Sequence, residues 1–277
     1  MAKRYMRAEI IERLHDQIRQ GKAILMLGAG TGLTAKCADI GRADLIGIYT
    51  TAHYRMMGQP SLLAWLPYSH ANEHVVSMAR EILPAVKDAP CIAGIGAHDP
   101  ALNMERFIDE LMDLEFSGIT NEPFVGIYGR EFAEQLEAAG IGFSREVKLI
   151  ETAHRKDVFT VGWAFTPEEG RIMAQAGADV IGAIVGVTTG GMTGAKQSKS
   201  LEDATKEVQE ICIAAKEVNP DVLILTHGGP FNDVLTACYS VINSDAVGYA
   251  AGSSGERLPT ETAVVQITEQ FKGIKLG

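Results

Sequence analysis

Thr226-His227-Gly228-Gly229-Pro230 puts a histidine at the end of an apolar run and two glycines directly after it. Imidazole takes or gives a proton near neutral pH, so His227 is the leading candidate for proton transfer or oxyanion stabilisation, and Gly228 and Gly229 offer exposed amides. The structural alternative is a histidine satisfied by strand-end backbone. Two carboxylates follow other apolar runs: Asp99 in Gly96-Ala97-His98-Asp99-Pro100, and Glu122 in Thr120-Asn121-Glu122-Pro123-Phe124. Together with the Asn121 amide they are expected to form an oxygen nest for Mg²⁺, an ion that keeps several waters and needs few protein ligands. Asp before Pro also suits a helix N-cap, and on an extended segment only one of Asn121 and Glu122 need point inward. Arg55 is the candidate clamp for a substrate carboxylate.

Several glycine-rich and hydroxyl-rich turns are candidate anion seats. Ala251-Gly252-Ser253-Ser254-Gly255 joins an apolar run to a helical pattern, so its serines and the free amides at the coming helix start suit a phosphate or carboxylate. Gly28-Ala29-Gly30-Thr31-Gly32 lacks the full dinucleotide spacing, and its glycines, Gly28 and Gly30 among them, are expected to let the backbone approach a ligand. The turn 186–196, which contains Thr188-Thr189-Gly190-Gly191, suits a loop folding over a ligand. Trp163-Ala164-Phe165 supplies aromatic wall or core. His70 and His74 stand four apart, but the residues between them do not complete H-E-x-x-H.

These positions recur because the elements that carry them recur. Eight short apolar runs, at 23–27, 45–49, 92–95, 118–120, 158–162, 180–185, 222–225 and 246–249, are mostly followed by a polar or glycine-rich turn and an amphipathic stretch. The periodicity predicts helices at 73–86, 104–116, 130–139, 144–155, 167–176, 201–218 and 261–271, and an extra N-terminal helix at 7–20 that stops at Gly21. Eight βα units predict a (β/α)8 TIM barrel over residues 1–277, with an open doubly wound sheet as the rival. In a barrel the residues just after each strand converge on one face. The stretch 50–72 is long for such a connection and is expected to be a lid or binding loop.

A net charge of -10 argues against nucleic-acid and anionic-membrane partners, leaving a small anionic molecule as the expected ligand. Cys37, Cys91, Cys212 and Cys238 form no CxxC pair, which predicts neither a zinc site nor a disulfide framework and suits a reducing cytoplasm. Residues 1–16 alternate charged and apolar side chains without the apolar core of a secretory signal, and no run approaches a membrane span.

Gly28-Ala29-Gly30-Thr31-Gly32-Leu33, Arg55-Met56-Met57-Gly58, Ala71-Asn72-Glu73, Asp99-Pro100, Thr188-Thr189-Gly190-Gly191, His227-Gly228-Gly229-Pro230 and Glu256-Arg257-Leu258-Pro259 occur in one order. Together they resemble the phosphoenolpyruvate hydrolase-like TIM-barrel family, which is phosphonopyruvate hydrolase-like, and the likeness runs nearly end to end. The family has Asn-Phe-Pro-Thr-Val-Gly where this chain has Asn121-Glu122-Pro123-Phe124-Val125-Gly126, and a histidine where it has Ile184. The resemblance implies a hydrolase acting on a small phosphorylated or phosphonylated keto or enol acid. The Asp-rich metal motif of phosphoenolpyruvate mutases is absent, so the site roles rest on the residues themselves: Asp99 and Glu122 are expected at a metal, His227 at the proton, Arg55 at the carboxylate, and Gly228, Ser253 and Ser254 at the phosphoryl oxygens. The competing expectations are a metal-dependent C–C lyase or isomerase on a keto acid, and a ligand-binding regulatory barrel without turnover. Barrels of this kind often associate, so a homo-oligomer is expected.

Overall fold

The computed structural model describes residues 2–276. Its first half runs α1 (Arg7–Arg19), β1 (Ile24–Gly28), α2 (Gly32–Ile40), β2 (Leu45–Ile48), α3 (Thr50–Met56), α4 (Ala71–Ile82), β3 (Cys91–Gly94), α5 (Met104–Asp113) and β4 (Gly118–Thr120). The second half adds α6 (Arg130–Ala138), α7 (Phe143–Arg155), β5 (Phe159–Ala164), α8 (Pro167–Gln175), β6 (Val180–Ile184), α9 (Leu201–Lys216), β7 (Leu223–His227), α10 (Val234–Ile242), β8 (Gly248–Ala251) and α11 (Arg257–Lys272). Each strand pairs in parallel with the next, and β8 returns to β1 through Ile24↔Gly248 and Met26↔Ala250. That closure makes a (β/α)8 barrel and removes the open-sheet alternative.

Local chemistry sets where the helices begin. Thr31, Asn103, Thr166, Ser200 and Asp233 each accept a backbone N–H three residues on, capping α2, α5, α8, α9 and α10. Two apolar layers follow from strand alternation. Ile24, Met26, Leu45, Ile92, Phe159, Val161, Val180, Leu223 and Leu225 point into the barrel, and Ile10 and Leu14 of α1 join that inner cluster. The extra helix therefore plugs the barrel end opposite the strand C-termini, and Arg7 pins it there through a 2.8 Å ion pair with Asp179, the residue before β6. Ile46, Ile48, Cys91, Ala93, Ile119, Ile181 and Ile224 face outward against the helices.

Two elements depart from expectation. The stretch after β2 is not wholly a loop, since Thr50–Met56 folds at once into α3 and carries Arg55 with it. The last helix starts at Arg257, four residues before the expected 261, because its first turn is bonded back to the β8 turn by Leu258 N–H donating to Ser253 O at 2.9 Å. Deleting the plug contact should be costly: Leu14→Ala is expected to lower the unfolding free energy by about 2–5 kcal/mol, measured by urea denaturation, while the secondary structure seen by circular dichroism persists.

Candidate active site

The strand C-termini open onto a cavity of ≈ 560 Å³, measured out to open solvent. Its polar lining comes from the end of the seventh strand and from the connections after the second, fourth, sixth and eighth: His227, then Tyr49, Thr51, Arg55 and Ser61, Glu122, Thr188 and Ser253. Trp65, Phe124, Trp163 and Ile184 supply apolar wall. Ser61, Leu62 and Trp65 belong to the long second connection, and Trp65 Nε1 donates to Phe124 O at 2.7 Å, tying that segment across the mouth.

Arg55 is buried and held from behind. Its Nε and Nη2 donate to Glu256 Oε2 at 3.3 and 3.1 Å, and Nη2 also reaches Gly28 O at 3.3 Å. The other Glu256 oxygen accepts from the Gly30 amide and from Thr34 Oγ1, both at 2.6 Å. Burial raises the Glu256 carboxyl, while Arg55, Gly30 and Thr34 pull it down. Among the described residues Arg55 Nη1 makes no hydrogen bond, and this is the nitrogen that lies 3.7 Å from where a Cβ on Gly252 would stand. In the sequence Glu256 stands out only as part of Glu256-Arg257-Leu258-Pro259. Its partner stands 201 positions away, so no local pattern announces the pair.

Gly28 and Gly30 lie against the protein's own groups and are not among the residues that line the cavity. A Cβ on Gly28 would stand 2.1 Å from Tyr49 Oη and 2.9 Å from Arg55 Nη2, and one on Gly30 would stand 2.1 Å from Ala52 O. Their bare backbones let α3 and its arginine dock. Tyr49, pushed up to about 12 by burial, stays a neutral phenol in the cavity wall.

Asn121 and Glu122 divide as alternation requires. Asn121 turns away: its Oδ1 accepts Trp163 N–H at 2.8 Å, and its Nδ2 donates to Glu146 of α7, which also accepts Val125 N–H at 2.7 Å. It positions the β4 turn and is not a ligand contact, contrary to expectation. Glu122 turns in. Neither of its buried carboxylate oxygens has a hydrogen-bond partner, and burial pushes its pKa up to about 7, against the pull of the neighbouring Thr51 and Arg55. Glu146, also buried, is pushed up to about 8.

His227 ends β7 with Nδ1 2.7 Å from Ala250 O. A carbonyl can only accept, so Nδ1 carries the proton and Nε2 presents a lone pair. Burial lowers the pKa to about 4, so the ring is neutral at physiological pH. Trp163 flanks it at 5.2 Å between ring centroids, which makes the aromatic residue both wall and packing.

The other expectations are corrected. Asp99 does not meet Glu122: it sits in a surface groove with His70, Asn72 and Glu73, accepting Ala101 N–H at 2.9 Å in a turn and lying 3.5 Å from His70 Nε2. Thr188 lines the cavity, but Thr189 is bonded to Gly229 O and Asn232. Gly228 and Gly229, at φ 82 and 53, stitch the β7 turn to the β6 turn: Gly229 N–H donates to Gly186 O at 3.0 Å, and a Cβ on Gly228 would lie 2.1 Å from that oxygen. Gly252 and Ser253 line the cavity, whereas Ser254 bonds Tyr249 Oη at 2.6 Å on the outer side of the sheet.

Mg²⁺ does not fit this donor set. Glu122 is the one acidic group in the cavity lining, it shares its surroundings with the Arg55 guanidinium, and among the described residues no three His, Cys, Asp or Glu side chains group to hold a metal. Burial, which pushes the Glu122 carboxyl up to about 7, disfavours the anion that a cation would need there. No helix of the described chain is long and apolar enough to cross a membrane.

A family model for phosphoenolpyruvate hydrolase-like proteins matches residues 9–274. The chain belongs to the phosphoenolpyruvate hydrolase-like family. It is 42% identical over 271 residues to the ToMV susceptible protein tm-1(GCR26) of Solanum lycopersicum, covering 98% of this chain but 36% of that protein, so the chain spans about a third of the length of that curated relative. Its fold is similar to a phosphonopyruvate hydrolase solved with oxalate and Mg²⁺, with TM-score 0.57, 15% identity and coverage of 95% and 87% of the two chains. It is similar also to 2,3-dimethylmalate lyase of the PEP mutase/isocitrate lyase superfamily, with TM-score 0.59, 14% identity and coverage of 96% and 90%.

Two stability measurements check the electrostatics. Glu256→Ala leaves the buried Arg55 charge unpaired and is expected to cost about 3–5 kcal/mol in denaturant unfolding. Glu122 is raised on folding, so its penalty is absent below its ordinary pKa of 4.5 and fully developed above about 7. Glu122→Gln should therefore be more stable than the parent at pH 8 by up to about 3 kcal/mol and closely similar at pH 4.

Proposed function

We propose that the protein is an enzyme of the phosphoenolpyruvate or phosphonopyruvate hydrolase kind, acting on a small keto or enol acid seated in the barrel mouth. One observation carries this reading: a fixed guanidinium, an unpartnered carboxyl with a pKa near 7 and a neutral histidine with a bare Nε2 line the same cavity. Perturbed groups of complementary acid and base character in one cleft are what proton-coupled bond cleavage requires.

Arg55 Nη1 takes the substrate carboxylate, because Nε and Nη2 are already occupied by Glu256. Ser253, Thr188 and the backbone at Gly252 are the groups left to hold a phosphoryl or phosphonyl substituent. His227 Nε2 accepts a proton from water as the water oxygen attacks the substituent. The bond from that substituent to the enol oxygen or to carbon 3 then breaks, its electron pair passing to the enolate. Glu122, as the acid, donates the proton that neutralises this charge, and the proton held on His227 passes to solvent and Glu122 is reprotonated to reset the site. Trp65, Phe124, Trp163 and Ile184 keep bulk water off the developing enolate. The reading gives Mg²⁺ no protein site and routes no step through it.

A second reading, cleavage of a C–C bond in a keto acid, is favoured by the single cation in the lining and by the loss of Gly228, Gly229 and Ser254 from the phosphoryl cradle. Pyruvate and phosphate release, followed side by side on phosphonopyruvate, phosphoenolpyruvate and a C–C-extended keto acid, separates the two: phosphate accompanies pyruvate only in the first. In either case Glu122→Gln and His227→Ala should each lower kcat by about 10²–10⁴-fold. Full turnover in both variants would remove the reading. Activity needs the acid form of Glu122 and the base form of His227, so kcat/KM should plateau between about 4 and about 7 and fall tenfold per pH unit above that range.

A further inference from the structure

The lining of the cavity is divided by polarity. A Cβ on Gly252 would stand 3.1 Å from His227 Cε1 and 3.7 Å from Arg55 Nη1, and one on Gly94 would stand 2.5 Å from Tyr49 Cβ and 3.2 Å from Glu122 Oε2. Tyr49 and Arg55 in turn meet beside Gly28. The base, the cation and the acid are thus linked through Tyr49 into one polar arc. Much of the remaining wall is apolar: Trp163 of β5, Ile184 of β6, Phe124 after β4, and Leu62 and Trp65 from the short helical turn Ser61–Trp65.

The rings of that wall form a row. Ring centroids are 5.2 Å apart for His227 and Trp163, 6.1 Å for Trp163 and Phe124, and 5.1 Å for Phe124 and Trp65. Exposure rises along it, from buried Trp163 and Phe124 to half-buried Trp65 and exposed Leu62. The outer end is fixed, since Trp65 Nε1 donates to Phe124 O at 2.7 Å and Trp65 O accepts the Tyr128 hydroxyl. These spacings are those at which aromatic rings attract one another through edges and faces, so a further ring laid along the row meets partners of its own kind. A three-carbon acid leaves the row bare. With its carboxylate on Arg55 and its oxygen beside Glu122 and His227, it has a single carbon to set against Trp163, Phe124, Trp65 and Ile184.

We propose that the Trp163–Phe124–Trp65 row is a subsite for an aryl group carried by the carboxylic acid that Arg55 holds. Resting on the reading of the cavity as a keto- or enol-acid site, this makes the substrate a 2-oxo acid, or its enol form, with an aryl substituent on carbon 3. The assignment is independent of which bond the enzyme breaks. It gives the apolar wall a ligand surface of matching chemistry, whereas phosphoryl oxygens would find no second cation in the cavity lining.

Calorimetry on the whole chain tests the subsite with two pairs of ligands, pyruvate against phenylpyruvate and propanoate against 3-phenylpropanoate. The aryl member of each pair should bind about 10–100-fold more tightly. Phe124→Ala should remove most of that factor in both pairs. Phe124→Leu, which keeps the wall apolar but not aromatic, should retain part of it, and it supplies the measurement if the alanine variant does not fold by circular dichroism. A factor near one in the parent, or the parent's full factor in the folded variants, would overturn the subsite. A factor in both pairs without turnover of either oxo acid would support the subsite and count against the reaction proposed above. Turnover of pyruvate-sized acids without an aryl factor would do the reverse.

Discussion

The mouth of this barrel depends on a buried ion pair. Glu256 sits at the base of the last helix and takes donors from three places: Arg55 on α3, the Gly30 amide and the Thr34 hydroxyl. One carboxylate thus joins the first, second and eighth βα connections, which no strand pairing holds at that height. Taking an ion pair out of water is costly, and here additional hydrogen bonds to both partners offset the cost. The same pair leaves one edge of the guanidinium turned to the cavity. Structural support and ligand-facing charge are therefore two sides of a single side chain.

Around that fixed charge the cavity has apolar walls and few ionisable groups. Burial acts in opposite senses on its two titratable members, raising Glu122 and lowering His227, so that both are held near their neutral forms. Their neutrality lets a small apolar-walled space hold an acid and a base without paying for two separated charges. Glu146 extends the scheme one layer outward: by accepting from Asn121 and Val125 it settles which side of the β4 turn faces in.

Much of the architecture was legible because a βα unit advertises itself through hydrophobic period and turn chemistry, and closure follows from eight of them. The N-terminal helix was legible too, with Ile10 and Leu14 at helical spacing, though not that it plugs the barrel. The site was legible only in part. His227, Arg55, Glu122, Thr188, Gly252 and Ser253 do meet, since strand ends converge in any barrel. Asp99 and Asn121 failed because a strand end tells which residues reach the rim but not which way each side chain turns once the strand pairing stops. Gly28, Gly30, Gly228 and Gly229 failed for another reason: a glycine marks a close approach without saying whether a ligand or the protein's own backbone approaches. Tyr49, Thr51 and Glu256 carried no local signal, and their roles depend on partners from other loops.

Glu256 stands immediately before Arg257, the first residue of the helix that leaves the barrel. The 16-residue helix therefore begins next to the residue that grips Arg55. At about 1.5 Å per residue its far end lies some 24 Å from that start, while its first turn is bonded to Ser253 O, Gly190 O and the Met192 amide. The root of the outermost helix and the charge in the mouth thus share one turn of chain, so a substitution that loosens either is felt by both.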